Sequence, residues 1–79
     1  MKTHKAGVLV KAFKYTRFFS LDEKIKQELD DDVLLLVVNQ IGMSTYAKSD
    51  NQAAWCVVIH PMYGIGEVMS ECVEFIQEL

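Results

Sequence analysis

Val33-Leu34-Leu35-Leu36-Val37-Val38 is a run of six apolar residues, entered from Asp30-Asp31-Asp32 and left through Asn39-Gln40. A run with no polar side to turn to water reads as a strand covered on both faces, inside a sheet. The strand is expected over 33–43, with Gly42 marking a bulge or frayed pairing near its far end. Every other element is placed by how it flanks or covers this one.

Downstream, 44–52 is polar, with Lys48-Ser49-Asp50-Asn51-Gln52 as its turn-rich core. The next strand is expected over 53–60. Trp55, Val57 and Ile59 share one of its faces and Ala54, Cys56 and Val58 the other, so it too is apolar on both sides. A hairpin is the simplest way to join these two strands. Pro61 stops the second strand, and Gly64-Ile65-Gly66 lets the chain turn. Over 67–79 the spacing predicts a helix. Ile65, Val68, Met69, Cys72, Val73, Phe75, Ile76 and Leu79 give its apolar face, and Glu67, Ser70, Glu71, Glu74 and Glu78 its wet one.

Upstream, 6–19 is rich in β-branched and aromatic residues and reads as a strand with an irregularity near Lys14. Ser20-Leu21-Asp22-Glu23 has the form of a capping box, in which Ser20 and Glu23 satisfy each other's backbone amides. A helix over 21–29 follows, with Leu21, Ile25 and Leu29 as a narrow apolar stripe and Lys24, Lys26, Gln27 and Glu28 facing water. The expected fold is therefore a single α+β domain over 1–79. Its order is β-α-β-β-α, with two helices packed on a three-stranded sheet.

A chain of 79 residues buries only about 60% of the surface its unfolded form exposes. Yet 51% of its residues are hydrophobic. Three strands and two helices hide that load poorly, so a homodimer or another protein partner is expected to cover the remainder. Cys56 and Cys72 fall within apolar patterns, as small buried hydrophobes rather than a disulfide framework. No signal peptide and no membrane span are expected, because Lys11, Lys14 and Arg17 interrupt the first apolar segment. A reducing cytoplasm is the expected compartment.

Charge is unevenly placed. Residues 1–26 hold seven Lys/Arg against Asp22 and Glu23, whereas 27–79 hold Lys48 against nine Asp/Glu. Either the two halves neutralise each other within the fold, or they form two functional faces. On the acidic side, Glu67, Glu71, Glu74 and Glu78 are read either as a solvated helix face or as a docking stripe for a basic partner. On the basic side, Lys11, Lys14 and Arg17 alternate with Phe13, Tyr15, Phe18 and Phe19. That interleaving suits single-stranded nucleic acid, which stacks bases on rings and pairs phosphates with cations. It also suits an edge strand whose lysines block aggregation.

Catalytic and cofactor chemistry find little support. Of the candidate ligands His4, Cys56, His60 and Cys72, none has short ligand spacing. Cys56 and His60 would point the same way on one strand but lie about 13 Å apart at ~3.3 Å per residue, too far to share one ion. Gly64-Ile65-Gly66 lacks the third glycine of a dinucleotide loop and runs into Glu67, where a phosphate would sit. His60 beside Tyr63 is the one candidate general base or ligand pocket. The sequence therefore points to a non-enzymatic binding or regulatory protein, of inhibitor or adaptor type, without metal or cofactor. A nucleic-acid-binding module using 11–19, and a small dimeric ligand-binding protein or enzyme near His60 and Tyr63, are the alternatives.

Overall fold

The structure is a computed structural model that describes residues 3–22, 24–41 and 54–79. Seven strands account for nearly all of its regular structure: β1 (Val8–Ala12), β2 (Arg17–Ser20), β3 (Lys26–Glu28), β4 (Leu34–Ile41), β5 (Trp55–His60), β6 (Gly64–Met69) and β7 (Val73–Glu78). They form one sheet in the order β3-β2-β6-β5-β4-β1-β7, and every pairing is antiparallel. The only helical turn among the described residues is a 3-10 turn at Ser70–Cys72. The α+β expectation is thus overturned in favour of an all-β fold.

The two adjacent apolar strands are present as β4 and β5, paired as a hairpin inside the sheet. The loop 44–52 between them, with Gly42 and Met43, lies outside the described residues. The single strand expected over 6–19 is split in two. β1 alternates cleanly, with Val8, Val10 and Ala12 buried, and then 13–16 turns a corner that includes Tyr15 at φ 69°.

Neither expected α-helix forms among the described residues: the first gives a loop leading into β3, and the second the end of β6, a 3-10 turn and β7, for physical reasons. At 21–29 the apolar stripe is one residue wide, and a helix that short carries a nucleation cost which so little burial does not offset. The Ser20 hydroxyl instead closes a hairpin loop. It donates to Asp22 Oδ1 at 2.6 Å and accepts the Ile25 amide at 3.0 Å, while the Lys24 amide donates to Asp22 Oδ1 at 3.1 Å. These bonds hold the Asp22 carboxyl below the usual carboxylate range, the Ser20 hydroxyl first among them. Glu23, the other half of the expected box, lies outside the described residues. At 67–79 the glutamates had no lysine at helical spacing to support them. As β7, the same segment lies against β1 and sets Glu74 and Glu78 near Lys11 and Lys5.

The sheet curls into a partly closed barrel. Its inner face forms one core of Val8, Val10, Ala12, Phe18, Leu35, Val37, Cys56, Val58, Val68 and Val73, with Leu29 beneath. These side chains come from strands far apart in sheet order, and they meet because the sheet wraps around them. Closure is made at the corner between β1 and β2. There the Thr16 hydroxyl is 2.6 Å from the Phe13 carbonyl oxygen and 3.0 Å from that of Cys72. The Phe13 amide also donates to Cys72 O at 3.0 Å. At the β2–β6 crossing the fit is tight, since a Cβ on Gly66 would lie 2.6 Å from the Phe19 carbonyl oxygen and nearer still to the Phe18 ring.

Candidate interaction surfaces

Registers across four strands align apolar residues on the outer face. Leu9 lies opposite Leu36, Leu36 opposite Ile59, and Ile59 opposite Ile65. Opposed residues of an antiparallel pair share a face, so these four form one row across β1, β4, β5 and β6. Leu21, whose amide donates to the Ile65 carbonyl at 3.2 Å, continues it. Ile59 and Ile65 are 41% and 45% exposed, and Leu34, beside the row, 46%. The row follows from the double-sided apolarity of 33–38 and 53–60. Those runs signal that a second face is apolar, but not that Leu9 and Ile65 fall in line with it.

The acidic residues do not form a stripe. Glu67 is on β6, fully buried between its cross-strand neighbours Val57 and Phe19. Glu71 is exposed on the 3-10 turn. Glu74 and Glu78 are on β7, where Lys11 sits 3.5 Å from Glu74 and Lys5 pairs with Glu78. Lys11 also lies 3.4 Å from Asp32. The hydrogen bond to Asp32, the charge of Asp32 and that of Glu74 hold the Lys11 ammonium above its ordinary value. Here basic and acidic halves of the chain neutralise each other within the fold.

The basic segment is divided in the same way. Lys11 is taken up by these carboxylates, and Phe18 is in the core. Lys14 lies 5.2 Å from the centre of the Tyr15 ring, on a corner where Tyr15 and Phe13 are exposed. Arg17, Phe19, Lys26, Gln27 and Glu28 line a groove of about 350 Å³ on the β2–β3 hairpin. Arg17 lies across the ladder from Glu28, and Phe19 from Lys26. Among the described residues no ion pair takes up Arg17, Lys24 or Lys26. Lys26 comes to the groove only because 26–28 is a strand; on the expected helix it faced water elsewhere. The Phe19 ring also meets that of Trp55, 5.8 Å between centres.

His60 holds a turn. Its Nδ1 accepts the amides of Met62 at 2.9 Å and Tyr63 at 3.2 Å. Its ring packs 4.5 Å from Tyr63 and 5.5 Å from Phe18, and Gly64 completes the turn at φ 77°. Burial lowers the imidazole pKa below its ordinary value. An Nδ1 committed to two backbone amides is not free to take a proton from a substrate.

A polar cluster ties the N-terminal segment to the barrel end. Gln40 Oε1 accepts the His4 amide at 2.9 Å and lies 3.2 Å from both Cys56 Sγ and the Ser70 hydroxyl. The Cys56 thiol is 3.0 Å from Ser70 Oγ, and His4 Nε2 is 3.0 Å from the Ser70 carbonyl. Burial pushes the Cys56 thiol up, as it does that of Cys72, to which the Glu71 charge adds. Both cysteines are free, and raised thiols are poor nucleophiles. Among the described residues no three His, Cys, Asp or Glu side chains converge as metal ligands, and no helix is long and apolar enough to cross a membrane.

Compared with known proteins, the chain matches no family, no curated sequence and no solved structure.

Proposed function

We propose that this is a small non-enzymatic binding protein of adaptor or inhibitor type, acting by protein–protein contact through the outer face of its sheet. The observation that carries the reading is the Leu9–Leu36–Ile59–Ile65 row. An apolar band of this kind on a small domain costs solubility unless something covers it. Every copy carries the same row, so a second copy is the simplest cover and the reading includes a homodimer. The free thiols of Cys56 and Cys72 support a reducing compartment, the cytoplasm.

The test is sedimentation over a concentration series with wild type and an Ile59→Lys/Ile65→Lys variant. Wild type should associate and the variant should stay monomeric, with unchanged circular dichroism. A wild type that is monomeric throughout would remove the homodimer. If protein capture from a lysate were also the same for both forms, the row would be removed as a contact surface.

A second reading is favoured by the hairpin groove. Among the described residues, no acidic side chain makes ion-pair contact with Arg17 or Lys26, which flank Phe19 there, an arrangement suited to a polyanion such as single-stranded nucleic acid. It requires binding of oligothymidylate that weakens steeply with salt and is lost in Arg17→Ala/Lys26→Ala. Absence of binding at low salt would end it.

A further inference from the structure

Among the described residues the sheet ends in two edge strands, β3 and β7, and they are unlike. β3 is three residues long and carries Lys26 and Glu28, a short charged edge of the kind that discourages pairing. β7 is six residues long, contains no proline or lysine, and has five of its six residues exposed, Phe75 and Ile76 among them. Its outer side has no strand neighbour among the described residues. Beside it a groove of about 320 Å³ is lined by Thr3, His4, Lys5, Val8, Phe75 and Glu78.

From these features we infer that the open edge of β7 takes an extended peptide with alternating apolar and basic residues, added as an eighth strand. The backbone edge offers the hydrogen bonds, and the groove beside Val8 and Phe75 offers a place for one apolar side chain. Charge selects the occupant. Among the described residues, Glu71, Glu74 and Glu78 lie on or next to the edge, with Asp32 close by through Lys11, against the cations Lys5 and Lys11. A second β7 would bring the same glutamates against these, and like charges across a strand pair are destabilising. A basic strand meets the opposite sign. The register shift between Leu9 and Val10, where β7 has one residue more than β1, increases the local twist. It also works against a long flat β7–β7 pairing. This site is separate from the outer row and does not depend on it.

The test uses ¹⁵N-labelled protein and a short peptide alternating lysine and valine. Expected are progressive shifts and slowed amide exchange at Phe75, Ile76 and Gln77. Binding should weaken with salt and by several-fold in Glu74→Gln/Glu78→Gln, a neutral pair that leaves the fold's apolar contacts intact. The same peptide N-methylated along one backbone edge should not bind. The proposal is overturned if the N-methylated peptide binds equally well, if the shifts cluster at Arg17 and Lys26 or at Leu36 and Ile59, or if a glutamate–valine peptide competes on equal terms. It is also overturned if no peptide alters β7 exchange, or if β7 pairs with itself in the free protein.

Discussion

Lys11 and Glu74 face each other across the β1–β7 ladder, with the ammonium 3.5 Å from one carboxylate and 3.4 Å from that of Asp32. The most basic and most acidic segments of the sequence meet at this point. The two carboxylates are exposed and the Lys11 side chain partly so, so their attraction is screened by salt. Lys11→Ala should lower Tm slightly in dilute buffer, and the difference from wild type should shrink in molar salt, read by thermal melts at two ionic strengths. The same substitution should leave any polyanion binding unchanged, because this cation is already engaged.

Gly66→Ala addresses the close approach of β6 to β2. The added methyl meets the Phe18 ring and the Phe19 carbonyl, and the β2–β6 crossing has no room to move apart without losing core contacts. A cost of about 1–3 kcal/mol is expected from overpacking. Urea denaturation should show a lower midpoint with little change in slope.

His60 gives the stability a pH dependence of defined sign. In the unfolded chain its imidazole titrates near 6.5, and in the folded protein burial places it lower. Between these two values the unfolded state binds more protons, so stability rises with pH through that window. The contribution is fully present above the unfolded value and is lost as pH falls through the folded one. Protonation of Nδ1 also removes the acceptor for the Met62 and Tyr63 amides. Melts between pH 7.5 and 5 should fall more steeply for wild type than for His60→Gln.

Ser20→Ala tests the loop that replaced the expected helix. It removes the bonds to Asp22 and from the Ile25 amide, at a net cost of about 1 kcal/mol each. Amide exchange should speed up at Lys24 and Ile25 while β4 and β5 remain protected. Equal loss of protection across the sheet would show that this loop opens only with the whole barrel.

How much could be read in advance varied by element, and the reasons are local. Val33 to Val38 and Trp55 to Ile59 are apolar on both sides, which identified β4, β5 and an apolar outer face. Ser20 was misread because a hydroxyl that caps a helix can equally close a tight hairpin loop, here with Asp22 as its partner. Val68, Val73 and Ile76 fit a helical period as well as two strands broken at Ser70–Cys72. What separates the two is the pairing of β7 with β1, a long-range contact that no local window contains. The surfaces were legible to the same extent. The basic residues of 11–19 were visible, but Lys11 is spent on Glu74 and Asp32, and Lys26 joins Arg17 only through the β2–β3 register.

The ladder that pairs Val8 with Glu78 and Ala12 with Val73 also governs how the barrel can assemble. β1 has no neighbour close in sequence: one flank waits for β4 and the other for β7. The hairpins β2–β3 and β5–β6 can form early, since each closes a short stretch of chain. The core cannot seal until the two distant flanks of β1 arrive, and the entropy of that closure is spent before its contacts are gained. Refolding should accordingly be limited by the docking of β1, on the millisecond-to-second scale of non-local β topologies rather than the microseconds of hairpins.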